Sequence, residues 1–211
     1  MKAPIRSAAL AALFLLAATQ AAASTLAVEV LDAAGKPLAD AAVYAEPETA
    51  LPAPKTGKTI EIEQKGRKFI PAVTVIQAGT NISFPNNDTV RHHVYSLSPA
   101  KVFELKLYAG DPPNPVHFDK PGTVAVGCNI HDQMAAYIHV VTTPYFARTD
   151  AAGKAKLEGL APGKYRLKAW HFGLPAGAPV HEQPLAVTHA DASASIALNV
   201  KPKLFHAPAE P

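Results

Sequence analysis

The chain is predicted to be all-β with many turns, long enough for one large domain or two small ones. Three observations predict this. Apolar residues alternate with polar ones in short runs bounded by turns. Proline and glycine number 20 and 12 in 211 residues. No 3.6-residue periodicity is sustained after the N-terminal segment.

That N-terminal segment has a basic start (Lys2, Arg6), an apolar run from Ala8 to Ala18, and small residues at Ala21-Ala22-Ala23. The pattern is that of a secretory signal peptide spanning 1–23, cut after Ala23, with the periplasm as destination. The apolar run is too short to span a bilayer, and no other segment approaches ~20 apolar residues, so no membrane span is expected. Removing the leader takes two of 20 basic residues and none of 17 acidic ones, leaving 18 − 17, or +1. Nothing in that balance suggests nucleic acid as a partner.

Along the chain, Thr25 to Leu31 alternates with Leu26, Val28 and Val30 on one face, and ends at the turn Asp32-Ala33-Ala34-Gly35-Lys36-Pro37. Ala41 to Ala45 is a second apolar segment, followed by the proline-rich stretch Pro47 to Pro54. Phe69 to Val75 reads as a strand, then a turn at Ala78-Gly79, then Thr80 to Phe84 with Ile82 and Phe84 inward. Lys101 to Pro115 is an excursion that either connects strands or shapes a partner surface. Gly122 to Val126 is a strand that presents Cys128 at its end, and His139 to Thr142 returns from the loop. The pentapeptide Asp-Ala-Ala-Gly-Lys recurs at Asp150–Lys154, as expected of a repeated hairpin turn. In Lys164 to Ala169, Tyr165, Leu167 and Ala169 face one way, and Lys164, Arg166 and Lys168 the other. Leu185 to Val187 and Ser195 to Val200 supply the last strands, with Trp170 in the core of this C-terminal sandwich and His171 a satisfied polar neighbour. The composition after Pro202 is that of a disordered tail, 202–211.

The chemistry concentrates around the single cysteine. Cys128, His131 and Met134 spell C-x2-H-x2-M, and the pair His92-His93 lies upstream in Asn86-Asn87-Asp88-Thr89-Val90-Arg91-His92-His93-Val94. A thiolate, two imidazoles and a thioether form the donor set of a mononuclear copper electron-transfer site: soft sulfur holds Cu(I), imidazole accepts Cu(II), and a weak axial sulfur tunes the potential. An unpaired thiol in an exported protein is open to oxidation, and metal ligation removes that exposure. Structural zinc fits less well, because it requires four strong N or S ligands. A dinuclear copper centre needs two bridging thiolates, and the chain has one. A cysteine hydrolase needs an orienting residue that the sequence does not supply. His117, His139, His171, His181, His189 and His206 have no ligand-like partners and are expected at surface or strand positions.

The middle segment resembles the cupredoxins of the plastocyanin and amicyanin type. The resemblance rests on F-x-P-x7-G-x4-F-x-N at Phe69 to Asn86, N-x4-H-x-V at Asn87 to Val94, and C-x2-H-x2-M at Cys128 to Met134. It covers about two fifths of the chain, and the short gap before methionine is closer to amicyanin. It implies a Greek-key cupredoxin sandwich over 59–143 binding one copper ion, with His92, Cys128, His131 and Met134 as metal ligands. The family commonly has asparagine after the first histidine; His93 stands there, able to hydrogen-bond or to compete as ligand. Adjacent strand residues point to opposite faces, which favours His92 over His93. Gln133 is the alternative axial donor, and spacing favours Met134.

The flanks "VEVLDAAGKPLADAAVYAEP" and "TDAAGKAKLEGLAPGKYRLKAW" resemble the two halves of carboxypeptidase regulatory-like β-sandwich domains, of the prealbumin-like kind. The expected units are 24–58 and 144–201 for that sandwich and 59–143 for the copper domain. The copper domain is either inserted in the sandwich or tandem to it. The whole chain resembles exported proteins labelled methylamine utilization proteins.

These resemblances imply a periplasmic one-electron carrier rather than an enzyme. Its partner would be a redox protein, a cytochrome or a dehydrogenase. His131 is the expected electron port, framed by Ile130, Pro85 and Ala135. The competing reading is a copper chaperone or sensor module docked through the accessory sandwich. Analogy with sugar-binding members of that sandwich fold adds carbohydrate as a partner class.

Overall fold

The computed structural model describes residues 24–49, 57–112, 114–175 and 177–200. The expected leader, 1–23, and the tail, 202–211, lie outside the described residues, as does most of the proline-rich stretch. Among the described residues there is no α-helix, and none that is long and apolar enough to cross a membrane. The chain is all-β.

One sandwich is made from both ends of the chain. Its strands are β1 (Ser24–Leu31) and β2 (Ala42–Pro47) from the N-terminal side. The strands between them and the C-terminal set are β3 (Thr59–Glu61), β4 (Glu63–Lys65), β5 (Lys68–Ile70), β6 (Val73–Gln77), β7 (Thr80–Ser83), β8 (His92–Ser98), β9 (Lys101–Tyr108), β10 (Val116–Phe118), β11 (Gly122–Cys128) and β12 (Ala135–Val141). The C-terminal set is β13 (Phe146–Arg148), β14 (Lys154–Leu160), β15 (Gly163–Trp170), β16 (His181–Val187) and β17 (Ala192–Ala197). Strand β1 lies between β14, antiparallel with Val28 opposite Ala155, and β17, parallel with Val28 opposite Ala194. Strand β2 lies between β13 and β15, with Val43 opposite Ala147 and Ala169. The chain thus leaves this sandwich after β2 and re-enters it at β13.

The period-2 pattern explains its core. Leu26, Val28 and Val30 are buried on one face of β1, while Ala27 and Glu29 are exposed. They pack with Val43, Ala45, Leu157, Tyr165, Leu167, Ala169 and Ile196. The repeated pentapeptide forms the same turn twice. Asp32 Oδ1 accepts the N–H groups of Ala34 and Lys36 at 2.8 and 2.9 Å. Asp150 Oδ1 accepts those of Ala152 and Lys154, both at 2.9 Å. Gly35 and Gly153 take φ of 74° and 71°. Their surroundings differ. A Cβ on Gly35 would meet nothing within 4 Å, whereas one on Gly153 would lie 2.6 Å from Val30 O and 2.9 Å from Leu38 N.

The second unit is a sandwich of two sheets, ordered β6-β12-β11-β8-β9 and β10-β7-β3, with the hairpin β4-β5 beside them. Its core holds Phe69, Ile76, Ile82, Phe84, Val94, Phe118, Val124, Val126 and Ile138, together with Cys128 and Met134. Phe84 meets Phe69 edge-on at 6.4 Å and Phe103 in a stack at 5.6 Å. Two expectations are refined here. The Phe69 to Val75 run breaks into β5 and β6 at Pro71, which has no N–H for a ladder. Lys101 to Tyr108 is the edge strand β9, paired with β8, rather than a loop.

Trp170 is half-buried and turned out of its own sandwich. Its ring stacks on His139 of β12 at 4.8 Å and 7°, and it meets Tyr137 at 6.0 Å. Phe172 stacks on Tyr137 at 5.4 Å and 11°. The expectation that Trp170 fills the C-terminal core is corrected: Tyr165, Leu167 and Ala169 fill it, and Trp170 falls on the alternate face. His171 is hydrogen-bonded as expected, with Nδ1 accepting the Gly173 N–H at 2.9 Å, and it is buried rather than at the surface. His139, 4% exposed, lies against Thr123 Oγ1 through Nδ1 at 3.0 Å.

Two predictions follow from these packings. Gly35→Ala should cost about 1 kcal/mol, from its backbone conformation alone. Gly153→Ala should cost clearly more in urea denaturation, because backbone atoms occupy the space; equal losses would contradict the packing. Burial also pushes the His139 imidazole down to about 4, against about 6.5 for an exposed histidine. Between those values the unfolded chain binds a proton that the folded chain refuses, so stability rises with pH across that window. The contribution is complete above about 6.5 and is lost as pH falls toward 4. It amounts to roughly 3 kcal/mol at most. His139→Gln should flatten this part of the unfolding free energy between pH 7 and 4, and an unchanged slope would refute the assignment.

Candidate metal centre

Three segments converge at one end of the second sandwich. The first is the loop from β7 to β8. Ile82 and Phe84 anchor its start in the core. Asn86 then ties the loop to itself. Its Nδ2 donates to Val90 O at 3.0 Å and to Tyr108 O at 2.8 Å, while its Oδ1 accepts the Asp88 N–H at 3.0 Å. Backbone bonds run both ways between Asn86 and Gly110, at 2.9 and 3.1 Å. The loop therefore delivers His92, 0% exposed, at the first position of β8.

The second segment is the end of β11, where Cys128 sits in register with Val94 of β8. The third is the short loop to β12. It is closed by Met134 N–H donating to His131 O at 2.9 Å and by Cys128 N–H donating to Met134 O at 3.1 Å. Those two bonds set the geometry of C-x2-H-x2-M: three donor-bearing residues in one tight loop. Cys128 is 5% and Met134 2% exposed, whereas the adjacent Gln133 is exposed.

His92 Nδ1 lies 3.1 Å from His131 Nδ1 and 3.7 Å from Cys128 Sγ, and His131 Nδ1 lies 3.6 Å from the same sulfur. All three donor atoms fall within 4.8 Å of one another. Donors bound to a common first-row metal at about 2.0–2.3 Å stand at such separations. Two imidazoles and a thiol with a buried methionine beside them make a donor set suited to copper. Burial, and then the charges of His92 and Arg67, keep His131 below the ordinary imidazole value, against the opposing effect of Asp88. That shift favours the neutral imidazole, the form that can bind a metal.

His93 points elsewhere. Its Nε2 pairs with Glu104 Oε1 at 2.8 Å, while its carbonyl accepts the Asn129 N–H at 3.0 Å. The backbone of His93 thus ties the two donor segments together and its ring stays out of the cluster. Of the expected frame around His131, Ile130 is 50% exposed and Ala135 half-buried. Pro85 is buried, a correction: its carbonyl accepts the Gln64 N–H at 2.8 Å, so the β4 strand covers it. His117 pairs with Asn81 at 2.7 Å and His181 with Gln183 at 3.5 Å, both away from the cluster. His206 lies outside the described residues.

No sequence motif singles out Asp88, Arg67 or Tyr108, yet each is hydrogen-bonded within the segments around the site. Asp88 Oδ2 lies 3.0 Å from His92 Nε2 and accepts the Arg67 N–H at 2.7 Å. Burial works to raise the Asp88 carboxyl, but the Arg67 N–H, the His92 ring and the Thr89 N–H outweigh it and hold it below the usual range. Tyr108 O–H donates to Phe84 O, and Gln64 Nε2 donates to both oxygens. Burial chiefly pushes that phenol up to about 12. A carboxylate four residues before a candidate ligand histidine was the available signal for Asp88.

No protein-family profile matches the chain, and no curated protein matches it. Solved structures resemble part of it. They include a copper-containing nitrite reductase from Thermus scotoductus SA-01, 22% identical over 46% of this chain and 25% of that one, with a TM-score of 0.38. A mutant of amicyanin in its reduced state is 16% identical over 46% of this chain and 99% of its own, with a TM-score of 0.35. A purple cupredoxin from Nitrosopumilus maritimus is 23% identical over 40% of this chain and 100% of its own, with a TM-score of 0.33. The chain spans about a quarter of the nitrite reductase's length. The side-chain geometry, rather than these partial likenesses, speaks for a metal.

Asn86→Ala should lower stability by about 1–3 kcal/mol in urea unfolding, because it strands three partly buried partners. A loss under 0.5 kcal/mol would show that the loop does not depend on it.

Proposed function

We propose that the 59–143 unit is a cupredoxin, inserted in the sandwich formed by the two flanks, that holds one copper ion and carries single electrons. The observation that supports it best is the convergence of two Nδ1 atoms and one Sγ, with His92 and Cys128 buried and His131 half-buried. His92, Cys128 and His131 would hold the ion, with Met134 as a weaker fourth donor. Bound copper would supply a one-electron couple, Cu(II)/Cu(I).

The protein's part is to keep the donors still. Cys128 is pinned by β8 and by the Met134 carbonyl, His92 by the Asn86 loop, and His131 by the tight loop that closes on Met134. Donors held in this way need little rearrangement when charge changes. Four protein donors leave no open position for a substrate, which supports a carrier rather than a catalyst. His131 is half-buried beside the exposed Ile130, so the imidazole edge is the shortest way from the donors to a partner. Contact with that partner, a redox protein, would be small and transient. The leader-like residues 1–23 support export to the periplasm.

The test is Cu(II) titration of the purified protein, followed by visible absorption and EPR. One equivalent should bind, with an intense thiolate-to-copper absorption and reversible one-electron reduction. Cys128→Ser should abolish the colour. A colourless wild-type protein, or a Cys128→Ser variant with an unchanged spectrum, would sink the proposal.

A further inference from the structure

We infer that Asp88 is a positioning residue for the metal centre. In this reading the tip of the β4–β5 hairpin holds Asp88 so that His92 presents Nδ1, and not Nε2, to Cys128 and His131. A neutral imidazole has one protonated nitrogen and one lone pair, and the partner of one nitrogen decides which faces the metal. His92 Nε2 lies 3.0 Å from Asp88 Oδ2. An ionised carboxylate only accepts, so the proton belongs on Nε2. The Nδ1 lone pair is then aimed at the point where Cys128 Sγ, 3.7 Å away, and His131 Nδ1, 3.1 Å away, converge.

Asp88 is itself fixed from outside its loop. The same Oδ2 accepts the Arg67 N–H at 2.7 Å, and Oδ1 accepts the Thr89 N–H at 3.2 Å. Gly66 and Arg67 sit at φ of 60° and 54°, between the paired residues Lys65 and Lys68. A two-residue hairpin turn with both central residues left-handed matches the strand twist, but a left-handed arginine is uncommon. The hairpin also runs along the donor loop. Gln64 N–H donates to Pro85 O at 2.8 Å, Asn87 N–H to Gln64 O at 2.9 Å, and Asn87 Nδ2 to Glu63 Oε1 at 2.9 Å. The hairpin and the 84–92 loop are thus one hydrogen-bonded assembly that ends on His92.

A carboxylate behind a ligand histidine raises its donor strength, which favours Cu(II) over Cu(I). The redox consequence rests on the copper reading; the tautomer does not. The experiment therefore has two arms. In the metal-free protein, long-range proton–nitrogen NMR should show His92 as the Nε2–H tautomer. Asp88→Asn should keep it, since the amide oxygen still accepts, and Arg67→Gly should keep it, since backbone N–H and φ are retained. Asp88→Ala should populate the Nδ1–H form.

In the copper arm, Asp88→Ala should weaken Cu(II) binding about 10- to 100-fold. Asp88→Asn should keep the EPR geometry and raise the reduction potential. Each tenfold loss confined to Cu(II) corresponds to about 59 mV. A wild-type His92 in the Nδ1–H form would overturn the inference, as would an Asp88→Ala variant with unchanged tautomer. If Asp88→Ala does not fold, an Asp88→Asn variant with the wild-type potential would overturn it. A wild type that binds no copper would sink the copper reading and leave the tautomer arm to decide on Asp88.

Discussion

Everything at the candidate metal centre depends on how Cys128 is immobilised at the end of β11. Its N–H is taken by the Met134 carbonyl, and its strand lies in register with β8 at Val94. The next N–H, of Asn129, goes to the His93 carbonyl. These contacts close the loop from β11 to β12 and clamp it to the strand that begins with His92. A buried thiol with two imidazole nitrogens beside it is costly to assemble, since each polar group gives up water. The hydrogen-bonded loops hold that assembly together. Asn86, Asp88 and Gln64 do for the first loop what the backbone does for the second.

The other constraint is the seam between the two sandwiches. Strand β12 carries Ile138 and Val140 into its own core, which turns Tyr137 and His139 toward the partner sandwich. Trp170 and Phe172 meet them, and Thr142 Oγ1 donates to Glu46 Oε1 at 2.9 Å. Glu46 is also paired with Lys168 at 2.6 Å. The strand that follows the donor loop is therefore gripped on both faces. This explains how a short loop bearing His131 and Met134 can be held without a helix or a disulfide behind it.

The strands with strict alternation were the most legible part of the sequence. Leu26, Val28 and Val30, or Tyr165, Leu167 and Ala169, show which face is buried, because successive side chains point opposite ways. That periodicity does not show what lies over the other face. Trp170 follows the pattern of Lys164, Arg166 and Lys168, and only a second sandwich packed against that face gives it a burial partner. Pro85 reads as a loop residue, yet β4 pairs along it. Lys101 to Tyr108 has consecutive apolar residues, Val102 and Phe103, which blur the period of an edge strand. Asp88 is separated from Arg67 by 21 positions, and no local pattern brings them together.

By itself, the sequence determined the all-β class and which residues are available as metal donors. Both follow from short-range order: a period of two for strands, and a spacing of three that places Cys128, His131 and Met134 in one loop. The tertiary structure decided what depends on distant chain segments meeting. It brought His92 to Cys128, turned His93 outward to Glu104, and set Asp88 behind the imidazole. It also joined both ends of the chain in one sandwich by strand pairing. Donor identity is written in residue type and spacing. Donor orientation depends on hydrogen bonds between strands, which only the folded chain makes.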